Sequence, residues 1–240
     1  MAEKNIFEEI KSFINDYGNY FTFTAALKEK GKNYKMPEVI ADVNSGNPKS
    51  VDAPDVKKDN LNYLQDIVVN NCVKCRLSEK RKNIVFGEGS PDCRLMFIGE
   101  APGADEDDTG RPFVGRAGQL LTKIIESINL KREDVYIANV IKCRPPGNRT
   151  PSDDEIECCS GYLREQVRII KPRIICTLGK VPMEYIVGKD KGIISRVRGN
   201  EYKYEGIPVI PTYHPSYLLR NPSAKREVWE DMKKIRDSYL

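Results

Sequence analysis

Short apolar runs alternate with amphipathic stretches along most of this chain. In residues 1–35, Phe7, Ile10, Phe13 and Ile14 fall at helical spacing, and Tyr17, Tyr20, Phe21 and Phe23 continue an aromatic stripe. One or two amphipathic helices are expected there, with a face that packs on the main domain. Residues 36–59, MPEVIADVNSGNPKSVDAPDVKKD, are rich in Pro, Asn, Ser and Asp and read as a linker or long surface loop. From residue 60 the pattern changes. LNYLQDIVVN predicts a helix, RLMFIG (94–99) a strand, RAGQLLTKIIESIN a helix and VYIANV (135–140) a second strand. DDEIECCSGYLREQVRII reads as a helix, RIICTLG (173–179) as a third strand, and GKVPMEYIVG as a helix. EYKYEGIPVIPTYH predicts a hairpin-like pair, and a helix over 225–238 closes the chain. Apolar strands alternating with helices imply a three-layer α/β/α sandwich around a mostly parallel, four-stranded sheet. The expected organisation is an N-terminal helical extension and linker over 1–59, then one domain over 60–240.

Loops after strands in such a sheet meet at its carboxyl edge. Glu100, Asn139 and His214 each follow an apolar strand, so they are expected side by side. His214 is the only histidine in the chain. A lone histidine is usually structural, but this one opens HPS, a rigid turn with a hydroxyl and backbone N–H groups to offer.

Charge adds a gradient to this picture. The net charge is only +4, yet residues 1–60 carry nine lysines, no arginine and ten acids, while all sixteen arginines lie beyond them. Basic side chains cluster in CRPPGNR, SRVRG and LLRNPSAKR, beside Gly- and Pro-rich loops, which favours a phosphate-bearing partner. No segment is apolar enough to span a bilayer and the N-terminus lacks a signal-peptide profile, so a cytoplasmic protein is expected. Seven cysteines in that setting argue for metal or structural roles, not a disulfide framework.

Four of the cysteines form two pairs. Cys72 and Cys75 are separated by two residues, Cys143 and Cys159 lie sixteen positions apart, and GEAPGADEDDTGRPFVG intervenes. Thiolates gathered in fours bind soft metal ions or iron–sulfur clusters. A four-cysteine zinc site is the alternative, although the second pair lacks the spacing usual in zinc ribbons.

GEAPGADEDDTGRPFVGRAGQLL, NVIKCRPPGNRTP and HPSYLLR, in that order and with these cysteines, closely resemble the iron–sulfur-containing family 4 uracil-DNA glycosylases. The resemblance runs from about Cys72 to about Arg220 and does not reach residues 1–60. It implies a DNA-repair enzyme that flips uracil out of DNA and hydrolyses its N-glycosidic bond. It also implies a [4Fe–4S] cluster on Cys72, Cys75, Cys143 and Cys159, with Cys158 an adjacent spare. Asn139 is then the residue that reads the uracil ring, Phe113 stacks on the extruded base, and His214 bonds uracil O2. Glu100 is the carboxylate at hand to hold the water, in the loop Gly99-Glu100-Ala101. Glu106 resembles the residue that fills the space of an aromatic absent at Gly103. Ser216 is expected to pinch a phosphate, Leu218 to wedge into the base stack with Tyr217 as a substitute, and Arg220 to contact DNA. Arg144 and Arg149 are further candidates for phosphates. The remaining acids of DEDD, Asp105, Asp107 and Asp108, are expected to be solvated. The rival readings are a metal-containing DNA-binding protein without activity, and a glycosylase that crosslinks to the abasic sugar through His214. A monomer is expected. The Tyr20-Phe21 pair lacks the glutamine of a sliding-clamp box, so residues 1–59 offer little for a replication or repair partner.

Overall fold

The computed structural model describes residues 54–70 and 72–240, so the helices expected over 1–35 and most of the expected linker lie outside the described residues. The chain divides between Lys49 and Ser50, and all that follows concerns the second unit. Its first helix, α1 (Pro54–Tyr63), continues as a π-helical turn over Leu64–Val69. Proline suits a first turn because its missing N–H has no partner there. Leu61 and Leu64 are buried, and Lys57 Nζ donates to the carbonyl of Ile170 at 3.0 Å. Residues 54–59 are therefore part of a helix anchored to the domain, and the boundary expected at 59/60 falls inside it.

Six strands form one sheet: β1 (Glu88–Gly89), β2 (Leu95–Gly99), β3 (Tyr136–Asn139), β4 (Ile174–Leu178), β5 (Tyr202–Tyr204) and β6 (Ile207–Thr212). Their order is β1-β3-β2-β4-β6-β5. The inner four, β3, β2, β4 and β6, are parallel; β1 and β5 pair antiparallel at the two edges. The four-stranded expectation thus describes the parallel centre, and two short edge strands extend it to six. Only two residues long and ending on a glycine, β1 has no apolar run that would announce it.

Every residue of β2, β3 and β4 is buried, as expected for parallel strands covered on both faces. The pleat divides them between two cores. Met96, Ile98, Ala138 and Ile175 face one side, against Leu61, Leu64, Leu163 and Val167. Leu95, Phe97, Ile137 and Cys176 face the other, against Leu121, Ile125, Val228 and Met232. Between the strands run α2 (Ala104–Thr109), α3 (Arg116–Ser127), α4 (Asp153–Ile170), α5 (Lys180–Ile186) and the short α6 (Ile194–Val197). After β6 come α7 (Pro215–Arg220) and α8 (Lys225–Tyr239). No helix among the described residues is long and apolar enough to cross a membrane.

The acidic run ADEDDT is helix α2, and Asp107 is buried in it. Its Oδ1 accepts the backbone N–H of Lys82 at 2.9 Å, so the solvated role expected for Asp107 does not hold. A sequence of adjacent acids does not reveal which one turns inward.

Helix α4 starts on a capping box, in which the Glu155 carboxylate accepts the Ser152 N–H at 3.0 Å. Glu155 is 0% exposed and also receives Arg149 at 2.7 and 2.8 Å and Arg76 at 2.9 Å. One carboxylate thereby joins the loop after Cys75, the loop after Cys143 and the helix bearing Cys159. Glu155→Ala would leave the cap unpaired and strip each guanidinium of its main acceptor, though Arg76 keeps Ser152 and Asp154, Arg149 keeps the Thr150 carbonyl, and both arginines are partly solvated. A loss of about 1–3 kcal/mol is expected, read as a lower urea midpoint at unchanged slope. An unchanged midpoint would show the network to be decorative.

Candidate active site and cysteine centre

Parallel pairing sets Gly99 of β2 level with Asn139 of β3, and Leu178 of β4 level with Thr212 of β6. The chain leaves β2 toward β3 on one side and β4 toward β6 on the other, so a crevice opens at the carboxyl ends between them. An open cleft lies there, lined by Glu100, Ala101, Gly103, Glu106, Phe113, Asn139, Lys180, His214, Ser216, Tyr217 and Arg220. A Cβ on Gly99 would stand 2.4 Å from Asn139 Oδ1 and 2.6 Å from the Phe113 ring, so only glycine lets those two side chains close over the strand end. Phe113 itself holds a left-handed φ of 51°. Arg132 secures that conformation by donating to the Phe113 carbonyl at 3.1 Å and to the Pro112 carbonyl. The Phe113 and His214 rings lie 5.6 Å apart, tilted by 36°.

Asn139 is 1% exposed, and its Oδ1 has no hydrogen-bond partner. Among the described residues only one other buried side-chain atom shares that condition, Thr177 Oγ1, and Thr177 lines no part of the cleft. A buried, unpaired amide oxygen costs about 1–3 kcal/mol, so its partner is to be sought outside the chain.

His214 is the residue that caps α7. The Ser216 N–H donates to its Nδ1 at 3.1 Å, and the Ser216 hydroxyl lies 2.7 Å from the same atom. With Nδ1 accepting, the proton of the neutral ring belongs on Nε2. Burial first, and the Arg220 charge second, lower the imidazole pKa to about 4. At neutral pH the ring is therefore an uncharged Nε2–H donor. Burial raises the Glu100 carboxyl, while the Lys180 ammonium pulls it back down. Glu106 ties the loop: its carboxylate accepts the N–H groups of Gly103, Val114 and Gly115 at 3.0, 2.8 and 3.0 Å. A Cβ on Gly103 would meet that carboxylate at 2.7 Å, so Glu106 occupies the space a larger residue would need.

A second, smaller cavity is lined by Cys72, Cys75, Cys143, Cys158 and Cys159. Cys143 and Cys159 are buried and the other three half-buried. Two sulfurs already receive donors: Lys142 N–H to Cys159 Sγ at 3.2 Å, and Arg81 Nη1 to Cys143 Sγ at 3.5 Å. Burial pushes the Cys159 thiol up to about 12 and raises Cys143 and Cys75 as well. Among the described residues no three His, Cys, Asp or Glu side chains are arranged to hold one metal ion.

A profile of the uracil DNA glycosylase superfamily matches residues 86–233. A type-4 uracil-DNA glycosylase of Thermotoga maritima is 50% identical over 179 residues, which cover 72% of this chain and 93% of that protein. The chain belongs to the type-4 uracil-DNA glycosylase family. Type-4 uracil-DNA glycosylases of Sulfurisphaera tokodaii and Archaeoglobus fulgidus are 49% and 45% identical, covering 75% and 73% of this chain and 84% and 92% of theirs.

In this family member, Glu100, Ala101, Glu106, Phe113, Asn139 and His214 gather at one cleft, from three separate stretches of sequence, while Gly99 lies buried beneath Asn139 and Phe113 and does not line it. Three other expectations change. Leu218 is 1% exposed and packs in the core beneath α7, so it is no loop-tip wedge; the exposed apolar neighbours are Tyr217 at 38% and Leu219 at 40%. A six-residue helix, not a loop, turns that position inward. The Ser216 N–H and hydroxyl are engaged by His214 and are not free for a phosphate. Both Arg149 Nη atoms bond Glu155, so Arg149 serves the fold. Sequence reasoning also passed over Lys180, which flanks Glu100 from the start of α5.

Because the chain has one histidine, its imidazole resonances need no assignment. NMR titration should give a midpoint near 4 and nitrogen shifts of the Nε2–H tautomer. A folded value below the unfolded one, about 6.5, means that stability is intact above that pH and is lost as pH falls toward the folded pKa. A midpoint near 6.5 would contradict the buried, neutral ring.

Proposed function

We infer that this protein excises uracil from DNA and so begins base excision repair, using the cleft at the carboxyl edge of the sheet. The observation that carries the reading is the partnerless Asn139 Oδ1 beside Phe113 and His214. Uracil offers N3–H to that oxygen and O4 to the amide nitrogen. Cytosine presents the opposite pattern and would leave both sites unpaired. In this reading the Phe113 ring stacks on the extruded base, and Glu106 holds the loop that borders it.

The reaction breaks the C1′–N1 bond, and the electron pair leaves with uracil. Negative charge grows on O2, where the Nε2–H of His214 is a fixed donor whose bond strengthens in the transition state. A neutral donor avoids the need to desolvate an imidazolium. Glu100 orients a water toward C1′; the water oxygen forms the new bond, and its proton passes to the carboxylate or to solvent. The uracil anion takes up a proton from solvent, so the products are uracil and an abasic site. No lysine is placed at the matched positions to form a Schiff base, so strand cleavage is not expected. With Leu218 in the core, Tyr217 is the better side chain to enter the base stack. Arg220 and the other cations at the mouth of the cleft are suited to phosphates.

For the second cavity we propose a [4Fe–4S] cluster on Cys72, Cys75, Cys143 and Cys159. The fit rests on sulfurs from three segments around one cavity, with N–H donors already aimed at two of them. When bound, the cluster supplies a rigid tie between loops and takes no part in the hydrolysis. Anaerobically purified protein should absorb broadly near 400 nm with about four irons per chain; one zinc and no iron would overturn this assignment.

The direct test is a uracil-containing oligonucleotide, incubated and then cleaved by alkali at abasic sites. His214→Ala should slow single-turnover excision by about 2–4 kcal/mol, the loss of one oxyanion donor, with DNA binding little changed. Asn139→Asp should lower uracil excision and allow some cytosine excision. A wild-type uracil rate in Asn139→Asp would remove the base-reading role.

A further inference from the structure

Among the described residues Lys142 is the one buried basic side chain, and the proposed reaction does not use it. It is 1% exposed, and among the described residues it forms no ion pair. Its Nζ donates to the Asn139 carbonyl at 2.9 Å and to Gln166 Oε1 at 2.6 Å, and stands 6.0 Å over the Phe86 ring. Gln166 is fixed in turn by donating to the Phe86 carbonyl at 2.9 Å and the Tyr136 hydroxyl at 3.2 Å. The backbone of Lys142 is pinned at both ends: its N–H meets Cys159 Sγ at 3.2 Å, and its carbonyl accepts from Val85 N at 2.9 Å.

A strand end can be closed by a backbone N–H or by water. Burying a lysine without a carboxylate costs several kcal/mol more, as a rule, than an apolar side chain of equal volume. The placement therefore calls for a role that closure alone does not provide. Asn139 needs one. Its amide sits at the last residue of β3, beyond which only the N–H groups of Val140 and Ile141 continue the ladder, and base selection depends on its orientation within a few tenths of an ångström.

We propose that Lys142 is a positioning residue for base recognition, a strut that runs from the cysteine centre to the peptide of Asn139 and fixes the amide presented to uracil. This rests on the base-reading role of Asn139. It gives the cysteine centre a mechanical route to the pocket: Cys159 holds the Lys142 backbone, and the Lys142 side chain holds Asn139. Loosening either contact lets the amide tilt, which weakens uracil recognition before it weakens DNA binding.

The test uses full-length, iron-loaded protein. Lys142→Met keeps an unbranched apolar stem, one atom shorter, and removes the donors. Three quantities are read: iron per chain, inhibition by free uracil, and single-turnover excision. The expected result is wild-type iron and DNA affinity, with both uracil inhibition and excision weakened by about tenfold to a hundredfold, the range for disturbing one buried hydrogen-bonded group. A merely structural lysine would lower thermal stability and leave free-uracil inhibition unmoved. Inhibition and excision within about twofold of wild type, at full iron loading, would overturn the proposal. If Lys142→Met does not fold, Lys142→Arg is read by the same criteria, since its longer head keeps donors but displaces the Asn139 peptide. Asn139→Ala is run in parallel. If it too leaves uracil inhibition unchanged, the base-reading role fails and the strut with it. If Asn139→Ala loses inhibition and the Lys142 variant keeps it, the strut alone fails.

Discussion

Parallel pairing of four inner strands is the constraint on which the rest of this molecule depends. It sets the ends of β2 and β3 level at Gly99 and Asn139, and those of β4 and β6 at Leu178 and Thr212. Beyond those ends the ladder continues only briefly, as Val140 N–H meets the Gly99 carbonyl at 2.9 Å and Ile141 N–H meets that of Glu100 at 3.2 Å. Side chains that follow the strands then have one place to converge. A one-residue slip would turn Asn139 to the opposite face and bring an apolar residue into its position.

The costs in this structure fall close together. Asn139 Oδ1 is buried without a partner, Phe113 holds a left-handed backbone, and Lys142 Nζ is buried against neutral acceptors. Each is unfavourable alone, and each lies in or directly behind the same cleft. Elsewhere among the described residues Thr177 Oγ1 is also buried without a partner, and Asn129, Asn148, Lys171 and Glu205 also hold a left-handed φ. Three such costs gathered at one cleft are what a recognition site produces when stability yields to geometry. The buried Glu155 holds the surrounding loops by a different means, through Arg76, Arg149 and the Ser152 N–H.

Electrostatics in the cleft follow from burial more than from net charge. The Ser216 N–H and hydroxyl decide which nitrogen of His214 carries the proton, and burial keeps the ring neutral. Burial also raises Glu100, with Lys180 nearby to restrain it. A neutral donor and a moderately basic carboxylate suit the departure of an anion and the entry of water.

The sequence alone determined the alternation of strands and helices, the three strand-end loops and the pairing of cysteines, because apolar periodicity and residue type are local properties. DDEIECCSGYLREQVRII is helical over its full length, as its pattern requires. Family motifs pointed to Asn139, Phe113 and His214, which the structure brings to one cleft. Only the tertiary structure decided what each neighbour does. It turned Leu218 into the core and left Tyr217 outside, drew Asp107 inward from a run of acids, committed Arg149 to Glu155 and Ser216 to His214, and placed Lys142 between Cys159 and Asn139. The reason is physical: burial and hydrogen-bond partners are set by segments far apart in the chain, and no local pattern records which of two adjacent polar groups will find a partner there.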